Sequence, residues 1–253
     1  MRIGITEYGD AGLDFRWEDK LPNIDGAVLI TKNLNPVFQQ KVLSHMNEKP
    51  IIVHCTCTGW GGTVMEPNVP NYKAQLNFLK QFIDAGFPAD HVVLRVDPIF
   101  PTQNGLKNVL LMLQYFHSLG LPENQIRYRM SIVDEYLHVR ERYEKAGFKP
   151  MYDGRFYPSW EQMDLVGEKL STTPYLFSTC AEDKLAAKYP NTFKIQGCIS
   201  KEDLAFMNIP YDETLFENPQ KRSGCHCLSC KTELLNCPRL KCGHNCLYCF
   251  WKD

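Results

Sequence analysis

The stretch from residue 26 to residue 56, GAVLITKNLNPVFQQKVLSHMNEKPIIVHCT, decides the fold class. Two short apolar runs, Gly26–Thr31 and Ile51–Thr56, predict buried strands, and the mixed pattern of Asn35–Asn47 between them predicts a helix. Two strands joined through a helix pair in parallel, because a parallel strand needs a crossover to return to the sheet. This stretch therefore predicts a strand-helix-strand unit.

The same alternation continues to about residue 207. Further strands are predicted at Arg2–Thr6, His91–Val96, Ile126–Ser131 and Tyr175–Thr179, and further helices at Asn71–Ala85, Gly105–Leu119, Asp134–Ala146, Ser159–Lys169, Ala181–Lys188 and Lys201–Met207. These units predict an α/β fold, a partial (β/α)6 TIM-like barrel over residues 1–210. Residues 211–253 are rich in cysteine, and they predict an extension that binds an iron-sulfur cluster and docks at the barrel mouth.

The composition excludes several classes of protein. The chain has 28 Lys and Arg against 29 Asp and Glu, with 44% hydrophobic residues. No apolar run approaches the roughly 20 residues that a membrane helix needs, and no signal-peptide core follows Met1. We therefore expect a cytoplasmic protein with no membrane partner. Seven of the 11 cysteines lie between Cys225 and Cys249, and this odd, crowded set favours metal ligation over a disulfide framework.

Polar side chains lie near the ends of the predicted strands, where α/β barrels place their chemistry. Alternation along the strands puts Arg95 with Asp97, and Arg129 with Ser131, on the inner face. Buried cations need partners, so the arginines either pair with acids such as Asp97 and Asp134 or bind an anionic group of a ligand.

The same alternation separates the two faces of the third strand. His54, Thr56 and Thr58 share the inner face, whereas Cys55 and Cys57 face the helices. We therefore interpret Cys55 and Cys57 as core thiols, because a free cysteine packs as a small hydrophobic residue.

The strongest motif lies at the end of the chain, in Cys242-Gly-His-Asn-Cys246-Leu-Tyr-Cys249. Three thiolates at these spacings can converge on one iron-sulfur cube, ligating three of its four irons and leaving the fourth open. The competing interpretation is a zinc site built from the two Cys-x-x-Cys pairs Cys227–Cys230 and Cys246–Cys249, with His226 and His244 nearby.

The remaining cysteines predict a second metal site. One quartet is spread along the chain and the other is local; either could hold an auxiliary iron-sulfur cluster or zinc, and spacing alone does not choose. The spread quartet comprises Cys180, Cys198, Cys225 and Cys227, and the local quartet comprises Cys225, Cys227, Cys230 and Cys237.

Motifs along most of the chain resemble domain-of-unknown-function family 1848, bacterial proteins that look like barrels ending in a radical-SAM-like cysteine cluster. The resemblance rests on Thr31-Lys-Asn33, Thr56 to Gly61, Glu66-Pro-Asn-Val-Pro70, Arg95-Val-Asp-Pro-Ile99, Ser131 to Tyr136, Cys180-Ala-Glu182, Gly197-Cys-Ile199, Cys225-His-Cys227 and the loop Cys242 to Cys249. The family pattern has cysteine at 180, 198, 225 and 227, which favours the spread quartet. Two features depart from radical S-adenosylmethionine (SAM) enzymes in general: the loop lies at the end of the chain, and Gly61-Gly62-Thr63 lacks the acid of a Gly-Gly-Glu motif.

The resemblance implies a radical SAM enzyme with a [4Fe-4S] cluster on Cys242, Cys246 and Cys249. Reductive cleavage of SAM would generate a 5′-deoxyadenosyl radical that acts on an unknown substrate, with electrons from a reductant such as flavodoxin or ferredoxin. Tyr248, just before the last cysteine, is expected beside the adenine. We expect Arg95, Asp97, Arg129 and Ser131 to contact SAM or the substrate.

The alternative is a zinc-organised binding module. In that interpretation the lysines and arginines of the tail contact the phosphates of a nucleic acid. A nucleic acid or nucleotide is also a candidate substrate of the enzyme, on the strength of cofactor analogy alone.

Overall fold

The computed structural model describes residues 1–216, 226–229, 231–235 and 242–251, and these residues form an α/β fold. The strands are β1 (Ile3–Ile5), β2 (Gly26–Thr31), β3 (Ile51–Thr56), β4 (Val92–Ile99), β5 (Arg127–Ile132), β6 (Phe177–Thr179), β7 (Phe193–Ile195) and β8 (Lys231–Glu233). The α-helices are α1 (Pro36–His45), α2 (Tyr72–Asp84), α3 (Gln103–Ser118), α4 (Leu137–Lys145), α5 (Trp160–Leu170), α6 (Asp183–Lys188) and α7 (Lys201–Phe206). Short 3-10 helices cover Phe15–Asn23, Ala89–His91 and Glu213–Phe216. None of the described helices is long and apolar enough to cross a membrane.

Within the described ranges the strands form one parallel sheet in the order β7-β6-β5-β4-β3-β2-β1-β8. The α/β fold and all six predicted strands are confirmed, with β2 and β3 at the predicted bounds. The prediction missed β7 and β8. Strand β8 comes from the cysteine-rich tail and pairs with β1, with Thr232 opposite Gly4. The proposed boundary at residue 210 stays a prediction.

The larger apolar core lies between one face of the sheet and the helices. Val53 and Cys55 of β3 and Leu94 of β4 are fully buried there, together with Leu79 of α2. Cys57 belongs to the same core, and burial raises the pKa of its thiol to about 12. The prediction that Cys55 and Cys57 are core thiols is confirmed.

The opposite face of the sheet is apolar near the amino ends of the strands. Val28 of β2, Ile52 of β3 and Val93 of β4 pack there against Leu204 of α7. Farther along the same strands this face becomes polar, with buried His54 and other polar side chains. The apolar layer thus supports the polar groups that lie toward the carboxyl ends.

Helix α7 begins at a capping box that also supports this polar face. Ser200 Oγ accepts a hydrogen bond from Asp203 N at 3.2 Å, and the Asp203 carboxylate accepts one from Ser200 N at 2.7 Å. The reciprocal bonds satisfy two amides of the first helical turn. They also fix the Asp203 carboxylate beneath the sheet.

Candidate functional site

The segment Cys242–Trp251 lies over the carboxyl ends of the strands. Leu247 N donates to Met65 O, in the loop after β3, at 2.9 Å. Arg142 Nε of α4 donates to Leu247 O at 3.0 Å, and His138 Nε2 lies 3.0 Å from Phe250 O. The segment is therefore held between the loop after β3 and helix α4, at the end of the sheet where chemistry collects in parallel α/β folds.

A buried carboxylate after β1 anchors the same segment. Asp10 accepts hydrogen bonds from Thr31 Oγ1 and Lys32 N, both at 2.6 Å, and lies 2.8 Å from His244 Nε2. Burial acts to raise the pKa of Asp10, but the hydrogen bond and charge of His244, together with the hydrogen bonds from Lys32 and Thr31, hold the pKa below its ordinary value. Asp10 thus joins the loops after β1 and β2 to the cysteine segment.

A second buried carboxylate, Glu66, receives the side chain of Tyr248. Glu66 accepts hydrogen bonds from Lys32 Nζ at 2.8 Å, from Thr58 Oγ1 at 2.8 Å and from the Tyr248 hydroxyl. Burial acts to raise the pKa of Glu66, but the charge of Lys32 and these hydrogen bonds leave it below the ordinary value. The Lys32 ammonium also lies 5.4 Å from the centroid of the Tyr248 ring, which meets Phe100 edge-on. These contacts fix Tyr248 against the carboxyl ends of the strands.

We expect Glu66→Gln to destabilise the protein by about 2–3 kcal/mol, because it leaves the Lys32 ammonium without its carboxylate in a largely buried position. The Leu247 amide should exchange its hydrogen faster, because the Tyr248 anchor is weakened. Urea unfolding and hydrogen exchange measure the two effects. Glu144→Gln, a change of an exposed side chain on α4, is the matched control and should alter neither. Unchanged exchange at Leu247 in the Glu66→Gln protein would contradict the anchoring role.

The three cysteines of the segment lie near one another. Cys246 is buried, Cys249 is partly buried and Cys242 is exposed, and the neighbouring thiols of the segment act to raise the pKa of Cys242 and of Cys246. Burial raises the pKa of Cys242 and of Cys246 to about 12, whereas the charge of Lys32 lowers both. In the described part of the chain, no three His, Cys, Asp or Glu side chains are arranged as a metal site. The segment therefore brings three thiols to the same end of the sheet.

Strands β4 and β5 bring three predicted site residues together. Arg95 Nε donates to Asp97 Oδ2 at 2.6 Å, and the Ser131 hydroxyl donates to Asp97 Oδ1. Burial acts to lower the pKa of Arg95, but Asp97 and more distant charges raise it above its ordinary value. Lys32 Nζ reaches Asp97 O at 3.4 Å, so this group adjoins the Glu66 and Tyr248 cluster.

The fourth predicted residue, Arg129, lies deeper and has a partner that the sequence analysis did not single out. Arg129 Nη2 is 3.6 Å from Asp203 Oδ2, and Arg127 donates to the other oxygen of the same carboxylate. Arg129 Nη1 also lies 3.4 Å from His54 Nε2. Burial and the charges of nearby arginines hold the pKa of His54 well below its ordinary value. The carboxylate of Asp203 in α7 therefore holds the side chain of Arg129.

Three members of the spread cysteine quartet lie together. The Cys180 thiol is within hydrogen-bonding reach of the Cys198 and Cys227 thiols, and these contacts raise its pKa. Cys198 N donates to Cys227 Sγ at 3.0 Å. The fourth predicted ligand, Cys225, lies outside the described residues, as do Cys230 and Cys237 of the local quartet.

Two cations lie near this second group of thiols. Arg129 Nη1 donates to Cys198 O at 2.6 Å. Lys231 of β8 binds Glu7 at 2.7 Å, and the charges of Cys227 and Cys198 also act on it. Nearby positive charge favours the thiolate form that binds metals.

Several residues of the site were absent from the predicted set. Asp10, Lys32, Glu66, His244 and Asp203 form the buried contacts described above. Lys32 and Glu66 stood within the family motifs, and His244 lies inside the cysteine loop, so a signal existed for these three. Nothing local in the sequence marked Asp10 or Asp203.

The fold and these contacts define an α/β protein with two groups of thiols at the carboxyl ends of its parallel strands. The chain matches the family described as Domain of unknown function (DUF1848) over residues 16–251, and it belongs to that family. No curated protein and no solved structure matches it.

Proposed function

We propose that this protein is a radical SAM enzyme in which Cys242, Cys246 and Cys249 hold a [4Fe-4S] cluster. One observation carries the proposal. The segment that contains the three cysteines lies over the carboxyl ends of the parallel strands, and Tyr248 is buried beside these cysteines. Three ligands leave one iron open for the cofactor, whereas a structural zinc site closes all four positions.

The strand order supports a TIM-like barrel as the scaffold. Strand β1 lies between β2 and β8, which is the neighbour order of an eight-stranded barrel interrupted between β7 and β8. Right-handed crossovers between consecutive neighbours place their helices on one face of the sheet. The second apolar core on the other face favours a sheet that curves around it.

Each residue near the motif has a task in this proposal. When bound, the cluster supplies the electron that cleaves SAM, and the protein orients the reactants and excludes water. Cluster binding displaces the protons of Cys242 and Cys246, and the Lys32 charge assists this loss. Tyr248, held by Glu66, would lie beside the adenine.

The second group of thiols is proposed as a further metal site. Cys180, Cys198 and Cys227, completed by Cys225, would hold an auxiliary iron-sulfur cluster or zinc. The proximity of the three described thiols and the two nearby cations support this assignment. Four thiolate ligands suit both an iron-sulfur cluster and a zinc ion.

Anaerobic reconstitution with iron and sulfide, followed by addition of SAM and dithionite, tests the proposed function. We expect about four irons and four sulfides per chain for one cluster, about twice that for two, and reductant-dependent 5′-deoxyadenosine. The reaction without dithionite is the control. A folded, iron-loaded protein that forms no 5′-deoxyadenosine would contradict the proposal. Zinc without sulfide in a colourless protein would favour a zinc-organised binding module.

A further inference from the structure

Neighbouring strands β3, β4 and β5 place a set of polar side chains on the face that carries the site. Thr56 lies opposite Arg95 in the register, and Arg95 lies opposite Arg129; His54 is two residues before Thr56 on the same face. We call these four residues the donor cluster. Each has a buried polar atom with no hydrogen-bond partner among the described residues: His54 Nδ1, Thr56 Oγ1, Arg95 Nη1 and Arg129 Nε.

The unpartnered atoms have the chemistry of hydrogen-bond donors. Arginine nitrogens only donate, and the Thr56 hydroxyl can donate. Arg129 Nη1 is the donor toward His54 Nε2, so Nε2 accepts and the ring proton lies on Nδ1. A buried donor without an acceptor is costly, so four of them in one cluster call for an acceptor that the described side chains do not provide.

The arginines of β4 and β5 share their carboxylate partners. In the described part of the chain, the three arginines of β4 and β5 contact two carboxylates, those of Asp97 and Asp203. The nearby lysines Lys194 and Lys231 each have a glutamate of their own. Asp97 and Asp203 thus serve three guanidinium groups, and Arg95 Nη1 and Arg129 Nε stay without an acceptor among the described residues.

One edge of the donor cluster is partly exposed. The side chain of Arg95 is 17% exposed and that of its partner Asp97 is 20% exposed, whereas Arg129 is 5% exposed. Arg95 precedes Asp97 by two residues on β4, which places it about 7 Å deeper in the sheet. Asp97 in turn contacts Lys32 below Tyr248. The donor cluster thus lies below a partly exposed ion pair that adjoins the cysteine segment, and Arg95 is its most exposed member.

We propose that the donor cluster binds the carboxylate or phosphate group of a small-molecule substrate. Guanidinium groups match the geometry of both anions, and the hydroxyl and imidazole donors add neutral hydrogen bonds. The term substrate rests on the proposed function, because the rest of the molecule would extend from this anchor toward the cysteine segment. The depth of the anchor favours a small acid over a nucleic-acid duplex.

Titration of the folded protein with inorganic phosphate and with succinate, at ionic strength matched with potassium chloride, tests this proposal by calorimetry. We expect saturable binding of at least one probe, and the preferred probe identifies the anionic group. Thr56→Val should weaken binding about fivefold, the value of one ordinary hydrogen bond. Thr179→Val is the matched control, because Thr179 also has an unpartnered buried hydroxyl but lies on the helix-facing side of β6. The affinity of the Thr179→Val protein for the anion should equal that of the wild type.

Two arginine variants strengthen the test. Arg95→Gln should abolish binding and Arg95→Lys should weaken it, because lysine keeps the charge but loses the planar fork. Circular dichroism establishes that both variants are folded. If either arginine variant is unfolded, the anion affinities of Thr56→Val and Thr179→Val still test the proposal. Both of these variants should fold, because valine and threonine have nearly the same volume.

The measurement is made without SAM or reductant, on metal-free and on iron-loaded protein. Failure of SAM cleavage with intact anion binding would therefore count against the proposed function alone. Absence of saturable binding by folded wild-type protein in both states would overturn the proposal. Binding that disappears on iron loading would also overturn it, because metal-bound thiolates of the Cys198 group would then balance the arginines.

Discussion

The Cys246→Ala variant is expected to lose the SAM-cleaving cluster and to form 5′-deoxyadenosine only at background level. Cys246 is the most buried cysteine of the motif, with 6% of its surface exposed, and it lies next to Lys32 and Glu66. Alanine leaves two thiolates for a cluster that needs three protein ligands. The fold should survive, because loss of one buried sulfur costs about 1 kcal/mol.

Cys57→Ala is the matched control for this variant. Cys57 is 5% exposed, so the two substitutions remove thiols of equal burial, but Cys57 packs in the core between sheet and helices. We expect it to retain the iron content and cleavage rate of the wild type after reconstitution. Iron and sulfide analysis together with chromatography of 5′-deoxyadenosine provide the measurement. Loss of activity in Cys57→Ala with full activity in Cys246→Ala would reverse the assignment of the ligands.

The sequence predicted strands β1 to β6 from the alternation of short apolar runs with helical patterns. Strands β2 and β3 were predicted at their bounds because β-branched runs end abruptly at turn residues. Strand β8, with the sequence Lys-Thr-Glu, was missed because two of its three residues are charged and no apolar pattern marks it. Its place at the sheet edge is stabilised by contacts of Lys231 with Glu7 and of Glu233 with the Glu7 amide. Such contacts between distant parts of the chain leave no periodic signal.

The site shows the same division between local and distant information. Period-two alternation predicted that Arg95 and Asp97 share a face, and the two side chains are hydrogen bonded. It could not find Asp203, because a helix far along the chain supplies this acid to the arginines of β5. The contacts of Asp10 with His244 and of Glu66 with Tyr248 likewise join loops of the first strands to the last described segment. Periodicity identifies the face of a residue, but only the folded chain identifies its partner.

Asp203→Asn is expected to destabilise the protein by about 3–5 kcal/mol, a large share of the roughly 5–15 kcal/mol by which domains are stable. Asp203 is fully buried and binds both Arg127 and Arg129. Asparagine keeps the size of the side chain but removes the negative charge, so two guanidinium groups lose their shared counter-ion. Urea unfolding at neutral pH gives the free energy. Asp84→Asn is the control, because its pair with Lys80 is exposed and worth about 0.5 kcal/mol.

The effect of Asp203→Asn should also depend on pH in a defined direction. Burial acts to raise the pKa of Asp203, but Arg129 and Arg127 hold it below the ordinary value of the unfolded chain. A carboxylate of this kind contributes its full stabilisation above its unfolded pKa, about 3.9, and loses it as pH falls through its folded pKa. The difference between wild type and variant should therefore be constant from pH 7 to about 5 and shrink below about 4. A variant as stable as Asp84→Asn at pH 7 would mean that another anion balances these arginines.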